Sequence, residues 1–236
     1  MTRSAAFFDV DGTLVGKNVV DYYIYFRKQT LPYVLRPLWT AAFYATKGPY
    51  YLALDKLSRT RLNVVFYRNY AGLPAEAVRT QAHGCFEDVI RPNLFAQAPA
   101  CIAQHHDAGR RTVLVTGSID FLMQPIASFL GIQDILAPKL IEHEGRFTGD
   151  LDGPPVGEEE KARRIKAFAE AEGLDLSTSF AYGDSIADLP MLKAVGNPHV
   201  VNPDKALAQT AKQRGWPTLR WSVARNTDSP CRTQAS

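Results

Sequence analysis

The chain has 236 residues, 46% of them hydrophobic and 22% charged, with a net charge of +3. That composition excludes a disordered or fibrous polymer and suits one or two globular domains with a substantial core. Its three cysteines, Cys85, Cys101 and Cys231, are odd in number and far apart, which excludes a disulfide framework and a zinc-finger spacing.

The apolar start, Ala5-Ala6-Phe7-Phe8, is too short for a signal-peptide core, so a reducing, cytoplasmic setting is expected. It reads as a buried strand that stops at Asp9-Val10-Asp11-Gly12, a turn signal. From Val19 the period changes: Val19, Tyr22, Tyr23 and Phe26 share one face of a helix. Pro32, Pro37 and Gly48-Pro49 are expected to break the pattern, with further helices around 38–46, 50–70 and 74–88 and no strand in 17–88. The charge is concentrated here. Residues 19–70 carry eight Lys and Arg against two Asp, and 13 of the chain's 25 aromatic residues. Two compositions in one chain suggest two modules.

Beyond residue 97 strands and helices alternate. A helix near 97–108 ends at Gly109, and "RTVLVTGS" is a strand entering a small polar turn. Leu122, Pro125, Ile126 and Phe129 mark a helix closed by Gly131, and "KLIEHEGRFTGD" is a hairpin turning at Glu144-Gly145. Glu158-Glu159-Glu160 opens a helix ended by Gly173. "SFAYGDS" is another strand ending in an aspartate, a short helix follows near 187–195, and "HVVN" and "TLRW" are the last strands. The alternation predicts an α/β fold, a doubly wound, mostly parallel Rossmann-like sheet, joined to a smaller all-helical unit. The polar tail, 226–236, is expected to be disordered.

In such a sheet, ligands bind beyond the carboxyl ends of the strands. Three predicted strands end there in small polar or acidic groups: Asp9/Asp11, Thr116-Gly117-Ser118, and Asp184 followed by Asp188. Converging carboxylates cannot all stay ionised without a cation, and hard oxygen donors without convergent histidines point to Mg²⁺. A lysine is expected beside them, and Lys161 is the best placed. Taken singly, each feature has a plainer reading: a solvated turn, a loop whose Ser118 caps the next helix, or a solvated helix lysine. Their occurrence in order, each at a strand end, is what carries weight.

"FFDVDGTL", "VLVTGS", Lys161 and "YGDSIADLPML" together resemble the four ordered motifs of the haloacid dehalogenase-like hydrolase superfamily, in its phosphoserine-phosphatase-like branch. The resemblance extends over about residues 5–221. It implies a Mg²⁺-dependent phosphomonoesterase in which Asp9 is the nucleophile that forms an aspartyl-phosphate and Asp11 is the acid and base. It implies further that Asp9, Asp184, Asp188 and the backbone carbonyl of Asp11 serve the metal, that Thr116, Gly117 and Ser118 bind phosphate, and that Lys161 offsets charge. Residues 1–15 and 89–225 would form the hydrolase core, and 16–88 a helical cap that selects the substrate. A phosphotransferase of the same fold and a non-catalytic phosphate-binding or membrane-surface module are the alternatives.

The phosphoserine pattern has a substrate-reading glutamate where this chain has Asn18, so the expected substrate is a small or amphiphilic phosphate ester other than phosphoserine. Arg59 or Arg61 is expected to hold its anionic part. The basic, aromatic cap invites weak contact with an anionic membrane surface. No nucleic-acid partner is expected, because the basic residues match no binding motif, and no histidine is assigned a role.

Overall fold

The computed structural model describes residues 3–223; the expected disordered tail lies outside the described residues. Six parallel strands form one sheet in the order β3-β2-β1-β6-β7-β8. They are β1 (Ala5–Phe8), β2 (Arg111–Val115), β3 (Asp134–Leu136), β6 (Phe180–Gly183), β7 (Asn197–Val201) and β8 (Thr218–Leu219). Strands β4 (Leu140–His143) and β5 (Arg146–Leu151) make a separate antiparallel hairpin. Its turn residues Glu144 and Gly145 have φ of 48° and 72°, the left-handed pair that a two-residue hairpin requires.

The helices are α1 (Val19–Gln29), α2 (Arg36–Leu57), α3 (Arg59–Tyr67), α4 (Ala75–Thr80), α5 (Ala82–Cys85), α6 (Ala98–Asp107), α7 (Asp120–Leu130), α8 (Glu158–Glu172), α9 (Leu189–Lys193) and α10 (Lys205–Arg214). Strand β1 is central because it can be apolar throughout. Ala6 and Phe8 face one hydrophobic cluster, while Ala5 and Phe7 face the other. Side chains alternate along a strand, so a continuous apolar run is what a sheet covered on both faces demands.

The helical unit differs from expectation in detail. Gly48-Pro49 does not interrupt α2, which carries Pro49 inside it. Gly48 has no Cβ to meet the proline ring, which removes the clash that usually ends a helix before proline. Phe43 and Tyr51, on either side of the break, are anchored against Tyr23 (ring centroids 5.8 Å apart) and Phe66 (5.2 Å). Pro37 starts rather than breaks α2, since a first-turn N–H has no intrahelical partner to lose. The span expected as one helix over 50–70 is divided at Ser58, which caps α3 through a bond from the Arg61 N–H. The helix expected over 74–88 is two short helices and a π-turn, Phe86–Ile90. Strand β3 and helix α10 were not anticipated.

The two ends of the helical stretch meet where the Gly16 N–H donates to the Asn93 carbonyl (2.9 Å). The hairpin grips its other end, with Gly72 N–H on Phe147 O (2.8 Å) and Phe147 N–H on Leu73 O (3.0 Å). Helices α1 and α3 thereby lie over the loops that follow β1 and β2.

Candidate active site

Asp9 follows β1 directly and its N–H continues the ladder to Tyr182 O (3.0 Å), so its carboxylate is held by the sheet itself. Lys161, on the first turn of α8, donates to Asp9 Oδ1 (2.6 Å) and Asp188 Oδ1 (2.7 Å). Asp9, Lys161 and Asp188 are buried, at 4%, 5% and 1% exposure. The other oxygen of Asp188 accepts from the Ser185 N–H, the Ser185 hydroxyl and the Asp184 N–H, each at 3.2 Å. Asp188 thus fixes both Lys161 and the loop that presents Asp184.

Asp9, Asp184 and Asp188 each bring one carboxylate oxygen within 4.8 Å of the others. The Thr13 hydroxyl lies between Asp9 Oδ2 (3.2 Å) and Asp184 Oδ1 (3.3 Å) and can satisfy only one of them at a time. Gly12, at φ +93°, lets the chain pass where a Cβ would overlap the Asp184 carboxylate. Burial pushes Asp184 well above the usual carboxylate range, reinforced by Asp188 and Asp9. Burial also raises Asp9, only partly offset by Lys161. For Asp188 burial is outweighed by Lys161, which holds it below its ordinary value. Burial disfavours the Lys161 ammonium, but Asp188 and Asp9 overcome that and raise its pKa. Lys161 pairs with two of the three carboxylates, but its single charge cannot offset all three, and the cluster is left in need of a further cation. Three hard oxygen donors so arranged suit Mg²⁺.

Asp11 stands apart from this trio. Its carboxylate accepts from the Tyr22 hydroxyl (2.8 Å) and the Ser118 hydroxyl (2.6 Å). Burial and the charge of Asp9 push it up to about 6, against the lowering effect of those two hydrogen bonds. Ser118 is thus turned onto Asp11 and does not cap α7, whose N-cap is Ile119 with no side-chain bond. Thr116 is buried and its Oγ1 accepts from the Ser118 N–H (3.0 Å), which shapes the loop. Gly117 lines the cavity, where a Cβ would overlap Asn63 Nδ2, and its carbonyl accepts from the Tyr67 hydroxyl (2.5 Å).

A cavity of about 300 Å³ opens over these groups, with Asp9, Asp11, Lys161 and Asp188 at its polar end. Asn18 lines it too, while its side chain caps α1 by accepting from the Val20 N–H (2.9 Å). The two candidate arginines separate. Arg59 lines the cavity and lowers the pKa of Asp9, Asp11 and Asp188, and Arg61 is exposed and absent from the lining. Residues two apart on a helix differ by about 200° in direction, which turns Arg61 away when Arg59 faces the cavity.

Thr13, Tyr22, Asn63, Tyr67 and Ser185 were not singled out by sequence reasoning. Thr13 and Ser185 had a signal, since each stands within two residues of an aspartate in a motif. Tyr22 and Tyr67 had none, because at helical spacing a tyrosine reads as core, which both also are.

The model of the haloacid dehalogenase-like hydrolase family matches residues 6–193. The chain belongs to that family. Among its relatives, "Probable phosphatase" of Mycobacterium tuberculosis is 36% identical over 224 residues, covering 93% of this chain and 76% of that protein. A Bordetella pertussis Tohama I protein of unknown function has a structure similar at TM-score 0.79 and 28% identity, covering 93% and 99% of the two chains. A substrate-bound phosphoserine phosphatase has the same fold, with TM-score 0.67, 22% identity and 93% of each chain covered. The hydrolase is a phosphatase, of the phosphoserine-phosphatase-like branch.

Proposed function

We propose that this phosphatase is a Mg²⁺-dependent phosphomonoester hydrolase working through an aspartyl-phosphate on Asp9, beneath a cap formed by residues 16–88. The observation that carries this reading is the arrangement at Asp9: an ammonium on one side, two further carboxylates within 4.8 Å (Asp188 buried, Asp184 half-buried), and an open cavity in front.

The chemistry follows from charge. A phosphate dianion approaching three carboxylates is repelled, so positive charge must be supplied. Mg²⁺ held by Asp9 and Asp184, with Asp188 supporting, would offset that repulsion and polarise a phosphoryl oxygen. Lys161 favours the ionised form of Asp9 and aims it, and the Gly117 backbone N–H and the Thr116 hydroxyl would bind phosphoryl oxygens. An Asp9 oxygen bonds to phosphorus as the ester P–O bond breaks, and Asp11 gives its proton to the departing alkoxide. Asp11 then takes a proton from water, which attacks phosphorus and releases phosphate and Asp9. Its pKa, raised to about 6, suits a group that must give and take a proton near neutral pH. Ser118 and Tyr22 hold the carboxyl in place through both states.

The substrate reading rests on the cavity wall. Arg59 supplies one cation. Asn18 is neutral where an amine-binding acid is expected, and the nearby acids Asp21 and Glu158 are engaged by Lys17 (3.2 Å) and Ser58 (2.9 Å). Phe43, Tyr51 and Leu62 favour an apolar leaving group over the zwitterion of phosphoserine. The test is hydrolysis of p-nitrophenyl phosphate with Mg²⁺. Turnover is expected, and it should vanish with EDTA and in Asp9→Asn, whose amide oxygen can still accept from Lys161. Turnover that survives in folded Asp9→Asn refutes the nucleophile assignment.

A further inference from the structure

Helix α2 is apolar on the side that should be polar. Lys47 is the single charged residue between 37 and 53; it is exposed but lies on the opposite side of the helix from Leu38, Ala45 and Pro49, where it donates to Asn69 Oδ1 (2.5 Å). Leu38, Ala41, Ala42, Ala45, Pro49 and Leu52 all face solvent, and the Thr46 hydroxyl among them is bonded to the Ala42 carbonyl (2.7 Å). The preceding turn continues the surface, with Tyr33, Val34 and Leu35 exposed at 81%, 78% and 47%. A helix that is apolar on both faces has a second surface to cover.

Two features say what covers it. First, the surface is bordered by cations. A groove of about 840 Å³ runs between Lys28 and Arg36, with Tyr33, Val34 and Tyr44 in its wall. Arg36 lies over the Tyr33 ring at 5.6 Å, so a guanidinium and an aromatic ring are presented together beside the apolar face. Second, the surface is continuous with the catalytic cavity. Tyr44 belongs to both the groove and the cavity, and Leu52, 65% exposed, lines the cavity as well, so the mouth opens on this face. Val20, Phe43, Tyr51 and Leu62 line the same cavity as Asp9 and give it an apolar wall.

We propose that the outer face of α2 and the turn at 33–35 dock onto an anionic lipid surface, and that the phosphatase takes its phosphomonoester from that surface. The substrate class is an amphiphile with its phosphate at Asp9 and its apolar part leading out past Tyr51 and Leu52. This rests on the phosphatase reading above. A second copy or a protein partner on this face would cover the mouth between Tyr44 and Leu52. A bilayer instead supplies substrate through it. Exposed tyrosines with lysine and arginine beside an apolar face are what the head-group region accommodates. No helix of the described residues is long and apolar enough to cross a membrane, so the contact is a surface one.

The experiment is flotation of the full chain with vesicles of phosphatidylcholine alone or with 30–40% phosphatidylglycerol (roughly the anionic content that makes the basic attraction measurable), at low and high salt. Binding is expected to the anionic vesicles at low salt, and to weaken with salt and without the anionic lipid. Leu38→Glu with Ala45→Glu, both outside the cavity lining, should weaken it at least tenfold. In the same variant kcat/KM for a long-chain monoalkyl phosphate embedded in vesicles should fall by a similar factor, with p-nitrophenyl phosphate turnover unchanged. Absence of binding at low salt, or binding unchanged in the double variant, overturns the proposal. So does sedimentation showing a dimer that the double variant splits, which would make a second copy the occupant. Absent turnover with vesicle binding intact overturns the hydrolase reading instead.

Discussion

Replacing Lys161 by Met keeps most of the buried aliphatic stem and removes only the ammonium, so it isolates the charge. Two hydrogen bonds, of 2.6 and 2.7 Å, disappear with it. Asp9 and Asp188 are then left buried beside each other and beside Asp184 without their shared cation. Breaking a buried pair by removing one partner costs ~3–5 kcal/mol. For a chain of this size that corresponds to a melting temperature lower by about 6–20 °C.

The pH dependence carries the sharper test. In the wild type the folded-state pKa of Asp188 lies below its unfolded value. Its contribution is present above the unfolded pKa and is lost as pH falls through the folded one. In the variant, burial and mutual repulsion raise the carboxylates. Raised acids stabilise at low pH and lose that contribution as pH climbs past about 4, the unfolded carboxylate value. The deficit of Lys161→Met should therefore be greatest at pH 7.5 and shrink towards pH 5. Urea unfolding at several pH values in EDTA measures it, and p-nitrophenyl phosphate turnover should drop by at least ~100-fold. A deficit under ~1 kcal/mol at pH 7.5, or one that grows on acidification, would refute the charge argument.

Arg59→Met should raise KM for anionic substrates at least tenfold with Arg61→Met near wild type, and equal effects would contradict the assignment of Arg59 to the cavity. Gly12→Ala forces a Cβ at φ +93° against the Asp184 carboxylate. Thermal melts should show a loss of ~1–3 kcal/mol, with Mg²⁺ stabilising the variant less than the wild type. His105 is buried against the Tyr182 hydroxyl (2.9 Å), and burial, then Arg110 and His199, depress its pKa to about 4. The unfolded chain binds the proton first, so this group destabilises the fold as pH falls from about 6.5 to 4, by at most ~1.4 kcal/mol per pH unit. His105→Gln should show a flatter stability profile over that window, and an unchanged slope would exclude the histidine as its source.

The sequence by itself determined the sheet and the strand ends. An apolar run of four residues followed by two aspartates can be satisfied by a covered strand opening on a polar site. The same logic located Asp184 after "FAYG" and the helix beginning at Glu158 that carries Lys161. These features are legible because they are local, set by side-chain period, turn chemistry and the cost of leaving a charge at the end of a buried run. What only the tertiary structure decided is which neighbour each side chain meets. Periodicity says that Tyr22 and Tyr67 are buried, but not that their hydroxyls end on Asp11 and Gly117. It makes Ser118 a plausible cap, although a carboxylate from another strand holds it. It leaves Arg59 and Arg61 equivalent until α3 is oriented over the loops. The continuity of α2 through Pro49, and with it the uncharged outer face, depends on Phe43 and Tyr51 packing against rings from α1 and α3. A helix pattern encodes which face is buried, while the partner on the other side of the contact is set by how the elements pack, and that is not a local property of the chain.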